Sequence, residues 1–142
     1  MTRLTHALMR AYHDTTYRVG DGILRIGGRS AAADAALRRL GARQGGLVSA
    51  HNPFSRRTAP GRNARHHRRL VEAARRFRSV DALGGPGTDW EEPMLLVAAD
   101  PRVIARLGRR FRQHAVVALR RDGPARLLRL SPGPMIRDTD RA

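Results

Sequence analysis

The chain contains no cysteine and no lysine, and its aromatic residues are three phenylalanines, two tyrosines and one tryptophan in 142 positions. Without cysteine there is no disulfide, no thiolate metal site and no cysteine nucleophile. A membrane-spanning helix needs about 20 consecutive apolar residues, and no run here approaches that length. Residues 1–10 also lack the continuous apolar segment of a secretory signal peptide. We therefore expect a soluble, cytoplasmic protein with no membrane partner. The shortage of aromatics leaves few platforms on which nucleic-acid bases could stack.

What is abundant is arginine. All 28 basic residues are arginine against 12 acids, giving a formal charge of +16. Such charge points to a polyanionic partner, because arginines neutralise phosphates and release counterions. With alanine and glycine also frequent, part of the excess fits a compositional bias without a ligand. The densest segment, residues 56–78, holds nine arginines, two histidines and one acid, Glu72. The acids Asp89, Glu91 and Glu92 instead surround the only tryptophan, Trp90.

The hydrophobic content of 41% supports one modest core. We assign residues 1–130 to a single domain and residues 131–142 to a flexible tail. Residues 12–19 and 22–26 read as β-prone runs around a Gly20-Asp21 turn. Ser30 caps a helix that Gly41 ends, and a second helix spans residues 63–77, with Asn63 placed to cap it. Asp100-Pro101 starts a third helix. Residues 46–50, 80–83, 94–99, 115–119 and 125–130 read as strands, the last two joined by Arg121-Asp122-Gly123-Pro124. The expected fold is an α/β domain of α+β type, a mixed or largely antiparallel sheet of about five to seven strands with about three helices.

Three polar signatures stand at the ends of these elements: His51-Asn52-Pro53-Phe54-Ser55, Trp90-Glu91-Glu92-Pro93 and Phe111-Arg112-Gln113-His114-Ala115. With the opening Y-x-x-T-x-Y (Tyr12, Thr15, Tyr17), A-x-N-P-x-S, Asn63, W-x-E and F-x-Q-x-A, the chain resembles a small bacterial domain family of unknown function. The resemblance spans most of the chain. It implies a compact α/β domain with a recurring polar constellation and brings no established activity, substrate or cofactor. The sequence departs from the family pattern at Met94, where W-x-E-x-S ends in serine, and at Arg112, where F-G-Q has glycine.

Two functional readings follow. In the first, Asn52, Ser55, Asn63, Trp90 and Gln113 line a pocket for a small anionic or nucleotide-like ligand. Glu92, desolvated beside a buried strand, serves there as acid, base or anchor. The bland counterparts are a capped turn for residues 52–55, a packing role for Trp90 and an arginine partner for Glu92. In the second reading, arginine faces bearing Arg65, Arg68, Arg69, Arg75 and Arg76, and Arg102, Arg106 and Arg109, track a nucleic-acid backbone. Ser55 lacks a G-x-S-x-G elbow, Gly84-Gly85-Pro86-Gly87 lacks the lysine of a P-loop, and His51, His66 and His67 lack a metal-ligand spacing, so no metal is assigned.

Overall fold

The structure, a computed structural model, describes residues 3–85 and 92–131. Its centre is a seven-stranded sheet formed by β1 (Thr16–Val19), β2 (Gly22–Leu24), β3 (Gln44–Val48), β4 (Ser79–Gly85), β5 (Glu92–Val97), β6 (Ala115–Arg120) and β7 (Arg126–Arg129). The spatial order is β2-β1-β4-β5-β3-β6-β7, and every neighbouring pair is antiparallel. The sheet curls until its two edges touch. Ile26 and Ala125 form an isolated bridge, Gly27 N–H donates to Ala125 O at 2.7 Å, and Ala125 N–H donates to Gly28 O at 3.0 Å.

Strand alternation divides the apolar residues between two faces. The inner face carries Tyr17, Val19, Leu24, Leu47, Met94, Leu96, Val117 and Leu119 and packs against Ala33, Ala36 and Leu37 of helix α2 (Ala31–Arg39). The outer face carries Val48, Leu95, Val97 and Val116. It is covered by Leu70 of α3 (Pro60–Ala73) and by Ile104 and Leu107 of α4 (Pro101–Arg110). Gly46 lets α4 approach closely, since a side chain there would lie 2.5 Å from Ile104 Cγ2 and 2.8 Å from the Val117 carbonyl oxygen.

Local chemistry fixes the helix ends. Ser30 Oγ accepts the Ala33 N–H at 3.2 Å and donates to Ile23 O at 2.7 Å, so one hydroxyl caps α2 and ties it to the β2 side of the sheet. Gly41, at φ +66°, ends α2 as expected of a left-handed cap. Asp100 Oδ1 accepts the Arg102 N–H at 2.7 Å, with Pro101 opening α4.

Several boundaries differ from the expectation. A fourth helix, α1 (His6–Asp14), precedes the sheet, so Tyr12 is helical and β1 starts only at Thr16. Thr5 caps α1 by accepting the Leu8 N–H at 3.1 Å, and Leu8, Ala11 and Tyr12 share one face, a helical spacing that outweighs the β-propensity of Tyr12. Helix α3 begins at Pro60, so Asn63 lies in its first turn and does not cap it. Gly84 and Gly85 continue β4. The proposed tail beyond Ser131 lies outside the described residues.

Candidate functional site

At the end of the inner face opposite α2, the sheet, α1 and the loop after β3 enclose a pocket of about 230 Å³. One row of the sheet builds its floor. Gly84 on β4 pairs with Glu92 on β5 and with Tyr17 on β1, so the carboxyl and the phenol flank a residue without a side chain. A methyl at Gly84 would come within 2.8 Å of Met94 Sδ and 3.1 Å of the Tyr17 ring, so glycine keeps this space open. Leu47, Met94 and Val117 supply the apolar floor. The polar groups are Tyr12, Thr15, Tyr17, Ser49, His51, Asn52, Ser55, Glu92 and Gln113.

Burial raises the Glu92 carboxyl to about 7, against a smaller opposing effect of its hydrogen bond with Ser49. Ser49 Oγ also accepts the His51 N–H at 3.0 Å. Burial, with the nearby Glu92 adding to it, pushes the Tyr12 hydroxyl up to about 12, despite hydrogen bonds with Ser55 and the Ala115 backbone. Tyr17 is raised as well, chiefly by burial and then by Tyr12. Burial lowers His51, and His67 and His66 lower it further, which favours its neutral form.

The loop over this pocket is held in a conformation its residues rarely adopt. Asn52 (φ +44°), Phe54 (φ +53°) and Ser55 (φ +61°) all occupy the left-handed region, which costs of the order of 1 kcal/mol or more per residue and persists only when surrounding bonds enforce it. Those bonds are identifiable. Asn52 N–H donates to Asn63 Oδ1 at 2.9 Å, while Asn63 Nδ2 donates to Asn52 Oδ1 at 3.0 Å and to Thr58 O at 3.2 Å. Thr58 N–H donates to Asn52 Oδ1 at 3.0 Å. Gln113 Nε2 donates to His51 O at 3.0 Å and to Phe111 O at 3.1 Å. Phe54 N–H donates to Arg112 O at 2.7 Å, and the Phe54 ring lies 5.4 Å from the ring of buried His114.

The structure thus brings together Asn52, Ser55, Glu92 and Gln113 in one pocket. Asn63 lines the neighbouring groove, and its amide secures the loop from behind. Trp90 lies outside the described residues. Sequence reasoning missed Ser49, Tyr12 and Tyr17 as pocket groups. The Y-x-x-T-x-Y signature was the available signal for the two tyrosines, and the strand parity of Leu47 and Ser49 was the signal for the serine.

The arginines lie elsewhere. Arg65, Arg68, Arg69, Arg75, Arg76, Arg102, Arg106 and Arg109 are exposed, all on or beside α3 and α4. Arg75 is paired with Glu72 at 3.0 Å. No arginine is among the described residues lining the inner pocket. Among the described residues no group of three or more His, Asp or Glu side chains is arranged to hold a metal ion, and no helix is long and apolar enough to cross a membrane.

Residues 48–116 match the family model described as protein of unknown function (DUF3293). The match bears out the resemblance at the level of a domain of unknown function, and it contains Asn52, Ser55, Asn63, Trp90, Glu92 and Gln113. The matched segment runs from β3 to the start of β6, while Tyr12 and Tyr17 precede it. No curated protein and no solved structure matches the chain.

Proposed function

We propose that the inner pocket binds a small, uncharged polar molecule and that Glu92 exchanges a proton or a strong hydrogen bond with it. The observation that carries this reading is the choice of groups: in a chain with 28 basic residues, all arginine, the described lining holds a half-buried carboxyl and no arginine. An anionic ligand, as the arginine content suggested, would meet the Glu92 carboxyl with no compensating arginine among the described lining residues. A neutral molecule carrying hydroxyl or amide groups would instead be matched on several sides.

A carboxyl titrating near 7 populates both of its states at neutral pH, the condition under which general acid–base catalysis is most effective. Tyr12 and Tyr17 keep their protons throughout that range and act as hydrogen-bond donors. Gln113 spends both amide hydrogens on backbone carbonyls, leaving its carbonyl oxygen for a ligand. Asn52 Oδ1 is likewise committed, leaving the Nδ2 amide. The size favours a fragment, since about 30 Å³ per water makes the 230 Å³ pocket equal to about eight waters.

A library of small polar compounds sorted by charge, screened by ligand-observed NMR, tests the reading. Neutral hits that weaken roughly tenfold in Glu92→Gln, the loss expected for a strong hydrogen bond to a carboxyl, support it. Hits confined to anions, unaffected by Glu92→Gln, refute it.

A second reading is favoured by the placement of the two arginine faces on adjacent outer helices, where Arg65, Arg68, Arg69, Arg102, Arg106 and Arg109 stand exposed. Such a surface suits electrostatic, weakly specific contact with a nucleic-acid backbone. Reversing the charge at Arg68, Arg69, Arg75 and Arg76 should abolish oligonucleotide binding at physiological salt, and unchanged affinity would remove this reading.

A further inference from the structure

On the outer face, α3 and the turn from α4 into β6 border an open cleft of about 720 Å³, separate from the inner pocket. Its charged lining is Arg69 and Glu72 from α3, Arg110 from the end of α4 and Arg112 from the turn, with His66 beside them. Among the described residues, Arg69, Arg110 and Arg112 form no ion pair, whereas Glu72 is engaged by Arg75 at 3.0 Å. Three arginines therefore line one concavity, Arg110 with its guanidinium carbon 5.8 Å from the Phe111 ring centroid, and the one carboxylate among the described lining residues is engaged by a fourth arginine.

Arg112 adds an independent argument. Its backbone sits at φ +57°, in the left-handed region that favours glycine, and it is pinned there by bonds on both sides. Arg112 N–H donates to Arg109 O at 3.1 Å, and Arg112 O accepts the Phe54 N–H at 2.7 Å. A side chain at such a position works against the backbone preference. What arginine contributes in return is a guanidinium on the cleft. His66, which lines the cleft, has its Nδ1 buried with no hydrogen-bond partner among the described residues. The arginines impose a positive field on this ring: after burial, Arg69, Arg62, Arg65 and Arg112 lower the pKa of His66.

We infer that this cleft is a phosphate-binding site, in which the guanidinium forks of Arg69, Arg110 and Arg112 take up phosphate oxygens. Planar guanidinium groups suit phosphate because two parallel N–H donors meet two oxygens. The phosphate comes either from a free phosphate compound or from a nucleic-acid backbone. The site needs neither Glu92 nor the inner pocket, so the two proposals stand or fall separately.

The test is titration of the full chain with inorganic pyrophosphate, followed by calorimetry and by amide NMR, alongside a fluorescent single-stranded oligonucleotide. Arg69→Gln with Arg110→Gln should weaken pyrophosphate at least roughly tenfold, as expected from losing two charge-assisted contacts. Arg112→Gly should weaken it several-fold without lowering the melting temperature, because glycine adopts the required backbone angle freely. Arg38→Gln with Arg39→Gln, exposed on α2 at the other face of the sheet, removes the same charge and should leave affinity within about twofold. Equal losses in the two double variants, or no binding of pyrophosphate by the wild type at millimolar concentration, would overturn the site. If the oligonucleotide binds more tightly and its salt slope falls in the cleft variant, the phosphate belongs to nucleic acid. If pyrophosphate alone responds to the cleft variant, it belongs to a free compound.

Discussion

Asn63 returns to Asn52 the bond that it receives. Asn63 Oδ1 accepts the Asn52 N–H at 2.9 Å, and Asn63 Nδ2 donates to Asn52 Oδ1 at 3.0 Å, across eleven residues of sequence. Asn63 is buried in the first turn of α3, and Asn52 sits at φ +44° in the loop over the pocket. The pair thus converts the position of a helix into the shape of a loop.

Replacing Asn63 by alanine removes three hydrogen bonds and strands the Asn52 N–H. Loss of about 2–3 kcal/mol is expected, since leaving a buried donor unmet costs about 1–3 kcal/mol by itself. Urea denaturation should show a lower midpoint with little change in slope. An unchanged midpoint would mean that the loop is held by other bonds.

Glu92 makes stability depend on pH in the direction opposite to an ion-paired carboxylate. Its folded value of about 7 lies above the ordinary 4.5, so between these limits the folded state binds more protons than the unfolded one. The Glu92 contribution therefore declines as pH rises from about 4.5 and levels off above about 7. Glu92→Gln should be stabilised relative to wild type at pH 8 by up to about 3 kcal/mol and should converge with it near pH 4. Melting curves of both proteins across that range check the prediction, and parallel curves would contradict it.

The only two tyrosines of the chain, Tyr12 and Tyr17, both line the pocket, so tyrosinate absorbance reports on that site alone. The native protein should show no ionisation near pH 10 and should begin to ionise only near 12, while urea-unfolded chain titrates near 10. Because Glu92 helps hold both hydroxyls up, Glu92→Gln should shift the native curve to lower pH. A normal native titration would place both rings in water.

Two glycine substitutions separate binding from stability. Gly84→Ala puts a methyl 2.8 Å from the flexible Met94 side chain and inside the pocket, so it should reduce ligand capacity at a stability loss below about 2 kcal/mol. Gly46→Ala meets Ile104 and the rigid Val117 carbonyl at 2.5 and 2.8 Å on the opposite face. It should cost about 2–3 kcal/mol, the range for overpacking a core, and leave the pocket intact. Thermal melts paired with a pocket-binding assay distinguish the two.

Much of this was legible from residue order. Ser30 and Asp100-Pro101 announced their helix starts, and the apolar runs at 94–97 and 115–119 became central strands. Glu92 could be singled out because a carboxylate leading into an apolar run must enter a partly desolvated place. The first helix was hidden, since its few apolar residues share one narrow face and Tyr12 favours a strand. Asn63 was expected at the cap but lies four residues past it, because the cap is Ala59 and Pro60 opens α3. For Ser49 and Tyr17, register completes what the sequence signals begin: strand parity puts Ser49 on the inner face, while pairing with Gly84 sets Tyr17 in the row of Glu92. Pairings among distant strands are not written in local sequence. The arginine content, finally, suggested an anionic ligand; the arginines singled out in the sequence stand exposed on and beside α3 and α4, and none is among the described residues lining the inner pocket.

The bridge between Ile26 and Ala125 joins parts of the chain almost a hundred residues apart. A flat seven-stranded sheet would offer unpaired backbone along both margins, where another molecule could add a strand. Here the margins meet each other at this point, which makes strand-by-strand self-association harder for the finished fold. During synthesis the protection is absent, because β2 leaves the ribosome long before β7 exists. The vulnerable species is therefore the nascent chain, and substitutions that slow closure should appear first as aggregation during expression.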